Sequence, residues 1–122
     1  MKIRPLFLPV CLTIAFSTLS PAAAQNQNEM NVEAAAEFTK ADKELNAVYA
    51  KVLEVLDDVA KEKLKRSQRA WVVFRDAEAD FRADAEARGG SMWPLIHEGV
   101  RSSLTKERVK ALKEYLIVVR EK

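Results

Sequence analysis

Very few residues in this chain could do covalent or metal chemistry. Among 122 residues there is one histidine, His97, and one cysteine, Cys11. Metal centres usually draw on several His, Cys or clustered carboxylate ligands, and His97 beside Glu98 falls short of that. The sequence therefore gives His97 the role of a solvated or partly packed helix residue. Cys11 lies inside an early apolar run that is read below as a discarded leader, which leaves no thiol for nucleophilic or redox work. Gly89-Gly90 lacks the spacing of a phosphate-cradling loop and reads as a helix stop. The acidic residues pair along one helix, Glu78 with Arg82 and Asp80 with Asp84, each four apart. A general acid needs a buried pocket to shift its pKa, and slim helices offer little of one. No cofactor, no metal and no catalysis are expected.

A second set of polar residues, Gln68, Arg75, Asp76 and Glu78, is interleaved with Trp71, Phe74 and Phe81. Two readings stand side by side. In one, Arg75 forks onto a carboxylate or carbonyl of a neighbouring helix and fixes register, with Asn46 and Tyr49 as candidate partners. In the other, Arg75 and Asp76 face a partner protein.

Hydrophobic periodicity supplies the elements. Ala34, Phe38, Ala41, Leu45, Val48, Val52 and Leu56 alternate by four and three, which predicts a helix over about 31–56, with Asn31 as N-cap. Asp57 or Asp58 can cap a second helix over about 58–87, with Leu64, Ser67, Trp71, Phe74, Phe81 and Ala85 inward. Ser91 would cap the third, Pro94 suits its first turn, and it runs to about Val119. Its inward positions read as Ile96, Val100, Leu104, Val109, Leu112, Leu116 and Val119. No stretch shows sustained strand-like alternation. The prediction is an all-α, elongated, antiparallel three-helix bundle, with Phe38, Leu45, Trp71, Phe74, Phe81, Leu104 and Leu112 as its main core residues.

The beginning of the chain reads differently. Met1 to Arg4 is basic, Pro5 to Leu19 is an apolar run, and Ala22-Ala23-Ala24 offers small residues for signal peptidase. This is the pattern of a secretory leader over 1–24, cleaved after Ala24. The run is too short for a good membrane span. Residues 25–30 would then form a flexible lead-in and 31–122 the folded domain. Removing the leader takes away Lys2 and Arg4, so the remainder balances 18 basic against 18 acidic residues. Net charge then gives no case for nucleic acid or for stable membrane attachment. The expected location is periplasmic or secreted.

Charge is nonetheless uneven. Lys61 to Arg75 carries a net +5 and Asp76 to Ala87 a net −4. The helix macrodipole favours the opposite order, so local helix stability did not select this one. Antiparallel packing would gather Glu29, Glu33, Glu37 and Asp42 at the acidic end and make a rod with opposite poles. Asp76, Asp80, Asp84, Glu86 and Arg75 are the candidate partner-binding residues.

Several elements also match a known pattern: Met30-Asn31, Ala41-Asp42-Lys43-Glu44-Leu45-Asn46-Ala47-Val48-Tyr49, Gln68-Arg69-Ala70-Trp71, Phe74-Arg75-Asp76-Ala77-Glu78, Gly89-Gly90-Ser91 with Pro94, and Leu104-Thr105-Lys106-Glu107-Arg108. In this order the chain resembles the LprI-like lysozyme-inhibitor family, small exported helical proteins of the bacterial envelope. The resemblance implies a binding protein and points to lysozyme as a possible partner. It also implies cysteines at the positions of Glu33, Ala79 and Val100, which this chain lacks. Two functions follow as expectations: lysozyme inhibition through a charged surface, or a structural or adaptor role that binds a partner helix or a second copy. The sequence leaves the oligomeric state open.

Overall fold

The computed structural model describes residues 20–121, so the apolar run and most of the expected leader lie outside the described residues. Three helices follow one another: α1 (Pro21–Val55), α2 (Asp58–Ala87) and α3 (Trp93–Arg120). The fold is all-α, as the periodicity predicts. At about 1.5 Å per residue these helices are roughly 40–50 Å long, so the molecule is a rod.

The starts and stops have local causes. α1 begins ten residues before the predicted Asn31. Pro21 occupies its first position, where a missing N–H costs nothing, and the Ser20 carbonyl accepts from Ala23 and Ala24 at 2.9 and 3.1 Å. Residues 25–30, expected as a flexible lead-in, are turns of this helix. Asn31 stays inside it, held by Gln27 Nε2 donating to its side-chain oxygen at 3.1 Å. Leu56 breaks α1 with extended backbone, and Asp57 caps α2 by accepting from the Ala60 N–H at 2.8 Å. Gly89 has φ +71, the chain's one left-handed residue among those described, and it turns the chain out of α2. α3 starts at Trp93, behind Met92 rather than Ser91, with Pro94 in its first turn.

Side-chain register fixes the topology. Lys106 reaches Glu37 at 3.3 Å and Lys113 reaches Glu44 at 2.6 Å, both across 69 residues of chain. α1 and α3 therefore run parallel. Trp93 meets Asp84, His97 meets Asp80 and Arg101 meets Asp76, so each step of four along α3 is a step of four back along α2. α2 is antiparallel to both neighbours.

The apolar core belongs to α1 and α3. Leu45, Val48 and Val52 form one cluster with Val109, Leu112 and Leu116, and Tyr49, Leu56, Leu64 and Trp71 pack against it. Ser102 and Thr105 are also buried on α3, with hydroxyls that find no hydrogen-bond partner among the described residues. α2 contributes a different kind of surface: its buried residues are Arg75, Ala79 and Ala83. The two alanines of that i, i+4 row let α2 lie close against its neighbours.

This row corrects two predicted core residues. Phe74 is 53% exposed and Phe81 67%. At about 100° per residue, they lie roughly a quarter-turn or more off the row Arg75–Ala79–Ala83. The aromatic spacing suggested an inward stripe, but two alanines and an arginine hold the inner face instead. Leu45 and Leu112 are buried, whereas Phe38, Trp71 and Leu104 are half-buried.

Candidate functional site

The polar set around Trp71 is organised as a stack. Arg101 lies over the Phe38 ring at 3.8 Å, and Arg75 lies over the same ring at 5.0 Å. Arg75 also lies 5.3 Å from the Trp71 ring, and Arg108 lies 5.8 Å from it. Guanidinium and aromatic groups thus alternate through all three helices: Arg101, Phe38, Arg75, Trp71, Arg108. Such cation–π contacts strengthen as water is removed, and Arg75 is only 4% exposed.

Carboxylates balance the stack from its rim. Arg75 Nε donates to Asp76 Oδ1 at 2.8 Å and its Nη1 donates to Asp42 Oδ1 at 3.0 Å. Arg101 Nε donates to the same Asp76 oxygen at 3.1 Å, and its Nη1 donates to Glu98 at 3.2 Å. Arg108 Nε donates to Gln68 at 3.0 Å. Partial burial pushes the Asp76 carboxyl up, but the hydrogen bond and charge of Arg75, with those of Arg101, outweigh it and hold the pKa below the usual carboxylate value. Burial alone lowers Arg108.

The partner-facing reading of Arg75 is therefore corrected: its side chain is buried and spent inside the fold. Its partners are corrected too. Asp42 takes the place expected for Asn46 and Tyr49. Asn46 acts one step back, donating to Asp42 Oδ2 at 3.5 Å, while Tyr49 packs against the apolar core. The sequence reading missed Phe38 and Arg101 as the other half of this stack. Neither stands near Arg75 in sequence, and only the helix crossing brings them together.

The remaining acidic residues of α2 have local duties. Glu78 accepts from Arg82 at 2.7 Å. Asp80 Oδ1 stands 3.1 Å from His97 Nε2. Asp84 accepts from the Trp93 indole N–H at 2.8 Å and from Arg88 at 3.2 Å, so it pins the start of α3 to α2. Glu86 is exposed and has no side-chain partner among the described residues. His97 is partly packed, stacked on Trp93 with centroids 4.6 Å apart and with Glu98 3.2 Å from its other nitrogen. Among the described residues no group of three or more His, Cys, Asp or Glu side chains could hold a metal, and no helix is long and apolar enough to cross a membrane.

The fold sorts charge along the rod. Residues 21–42 and 76–106 occupy one end and carry a formal net charge of −5. Residues 43–75 and 107–121 occupy the other and carry +4.

Comparison with known proteins matches this architecture to one family. A family model described as lysozyme inhibitor LprI matches residues 19–112. A protein of Rhizobium meliloti (strain 1021), itself named only as uncharacterised, is 33% identical over 128 aligned positions, covering 91% of each chain. No solved structure matches. With the match spanning all of α1 and α2 and most of α3, the chain belongs to the LprI lysozyme-inhibitor family.

Proposed function

We propose that this protein is exported and acts by binding a lysozyme through the acidic end of the rod, not by catalysis. The observation that carries the reading is the charge separation, −5 at one end against +4 at the other. Lysozymes are generally basic, and a negative end would steer such an enzyme and hold it in register. Asp80, Asp84 and Glu86 are the carboxylates placed for that contact, with Asp76 behind them in the arginine stack. Export rests on the leader pattern of residues 1–24 and fits a periplasmic or secreted location. Cleavage after Ala24 would leave α1 starting at Gln25.

A second reading has its own observation. Phe74 and Phe81 stand seven residues apart on α2, both exposed, with exposed alanines at 70, 77 and 85 between and beside them. An apolar strip at that spacing suits a partner helix or a second copy.

Salt separates the two. Hydrolysis of bacterial cell walls by a basic lysozyme is measured with and without the protein over rising ionic strength. The charge-steered reading expects inhibition that weakens as salt screens the acidic end. Binding that persists unchanged in high salt would favour the apolar strip. No inhibition at any salt concentration would remove the lysozyme reading.

A further inference from the structure

The acidic end carries a cavity of about 390 Å³ between the last turns of α2 and the first residues of α3. Asp80, Phe81, Asp84, Ala85, Arg88 and Trp93 line it. We propose that this cavity takes one guanidinium or ammonium group, the arginine or lysine side chain of a basic partner protein. The inference rests on the reading of the protein as a binder of basic proteins and names the contact that would select them.

Two aromatic rings and two carboxylates in one concave site are the chemistry that recognises an organic cation. Trp93 is a fixed wall: its indole N–H is donated to Asp84 and its ring is stacked on His97 at an interplanar angle of 14°. Phe81 is 67% exposed, so none of the described residues covers most of that ring. Asp80 and Asp84 keep 66% and 44% of their side chains open to solvent, within reach of an incoming group.

The chain itself shows which group the site accepts. Arg88 lines the cavity and lays its own guanidinium against Asp84 at 3.2 Å. Its side chain is 80% exposed, and an exposed i, i+4 pair of this kind contributes little. Arg88 is thus a weak internal occupant that a stronger external one can displace. The same chain stacks arginine on aromatic rings elsewhere, most closely Arg101 on Phe38 at 3.8 Å. The surrounding −5 end raises the local concentration of cations and disfavours anions.

The test uses a single side-chain analogue. N-acetyl-arginine amide is titrated into the folded protein while the Trp93 indole N–H is followed by NMR, with the uncharged N-acetyl-citrulline amide as control. A saturable shift with the arginine compound alone is expected. Phe81→Ala, which leaves charge unchanged, should weaken binding by about threefold. Arg88→Gln, which removes the internal occupant, should tighten it by about threefold. An equal response to citrulline, no saturable shift, or a titration unaffected by Phe81→Ala would each overturn the cavity. Lysozyme inhibition measured on the same samples reports separately. Probe binding without inhibition would leave the cavity standing and unseat lysozyme as the partner. Inhibition without probe binding would do the reverse.

Discussion

Arg75 donates to Asp42 at 3.0 Å, and among the described residues this is the one side-chain hydrogen bond between α1 and α2. α1 and α2 each pack mainly on α3, and α2 buries Ala79 and Ala83 beside Arg75. One buried guanidinium therefore bridges the two helices that otherwise meet least. It does so while filling the space between Phe38 and Trp71.

Arg75→Ala should cost about 3 kcal/mol, since it removes charge-assisted hydrogen bonds and two ring contacts together. Arg75→Lys should recover less than half of that, because an ammonium cannot stack on two rings and fork onto two carboxylates. Thermal unfolding followed by circular dichroism decides the point. A lysine variant melting with wild type would mean that charge alone, without the planar fork, holds α2 to α1.

Aromatic residues on α2 should differ sharply in their effect on stability. Trp71→Ala should cost about 3 kcal/mol, because the ring packs on the core and carries Arg75 and Arg108. Phe74→Ala and Phe81→Ala should each stay within about 1 kcal/mol of wild type, because both rings are more than half exposed. Urea unfolding of the three variants gives the comparison. A large loss at Phe74 or Phe81 in the monomer would contradict the helix phase described here.

Thr105 has a fully buried hydroxyl without a hydrogen-bond partner among the described residues. Enclosing such a group costs free energy that an apolar replacement of the same shape avoids. Thr105→Val is expected to raise stability by about 1 kcal/mol. A lower midpoint in the same denaturation experiment would show that the hydroxyl is satisfied in solution.

Acid should weaken the fold through Asp76. Its carboxyl is held below the usual value in the folded state, so the unfolded chain binds the proton more tightly. The stability it contributes is complete above the unfolded carboxylate pKa, near 4, and is lost as pH falls through the lower folded value. Asp76→Asn should be less stable at neutral pH and should show a flatter loss of melting temperature below pH 4. If wild type and variant lose stability in parallel down to pH 2, Asp76 is not the group that responds.

The sequence by itself determined the helices and most of their ends. The four-three spacing from Ala34 to Leu56 needs only one face to be buried, and Asp57 and Gly89 act on the backbone within a few residues. The poverty of chemistry-bearing side chains is equally a matter of composition. The N-terminal limit of α1 was less legible, because residues 21–29, mostly exposed and without a large apolar side chain, carry no apolar period to read. What only the tertiary structure decided is which side of α2 turns inward. Phe74 and Phe81 offered more apolar area than Ala79 and Ala83, but close helix approach favours the small row, and a buried arginine becomes tolerable once two rings and two carboxylates surround it. Phe38, Asp42, Trp71, Arg75, Asp76 and Arg101 come from three helices, and no spacing along one helix encodes their meeting. That depends on how α2 crosses α1 and α3, which is set by the sum of all the packed surfaces.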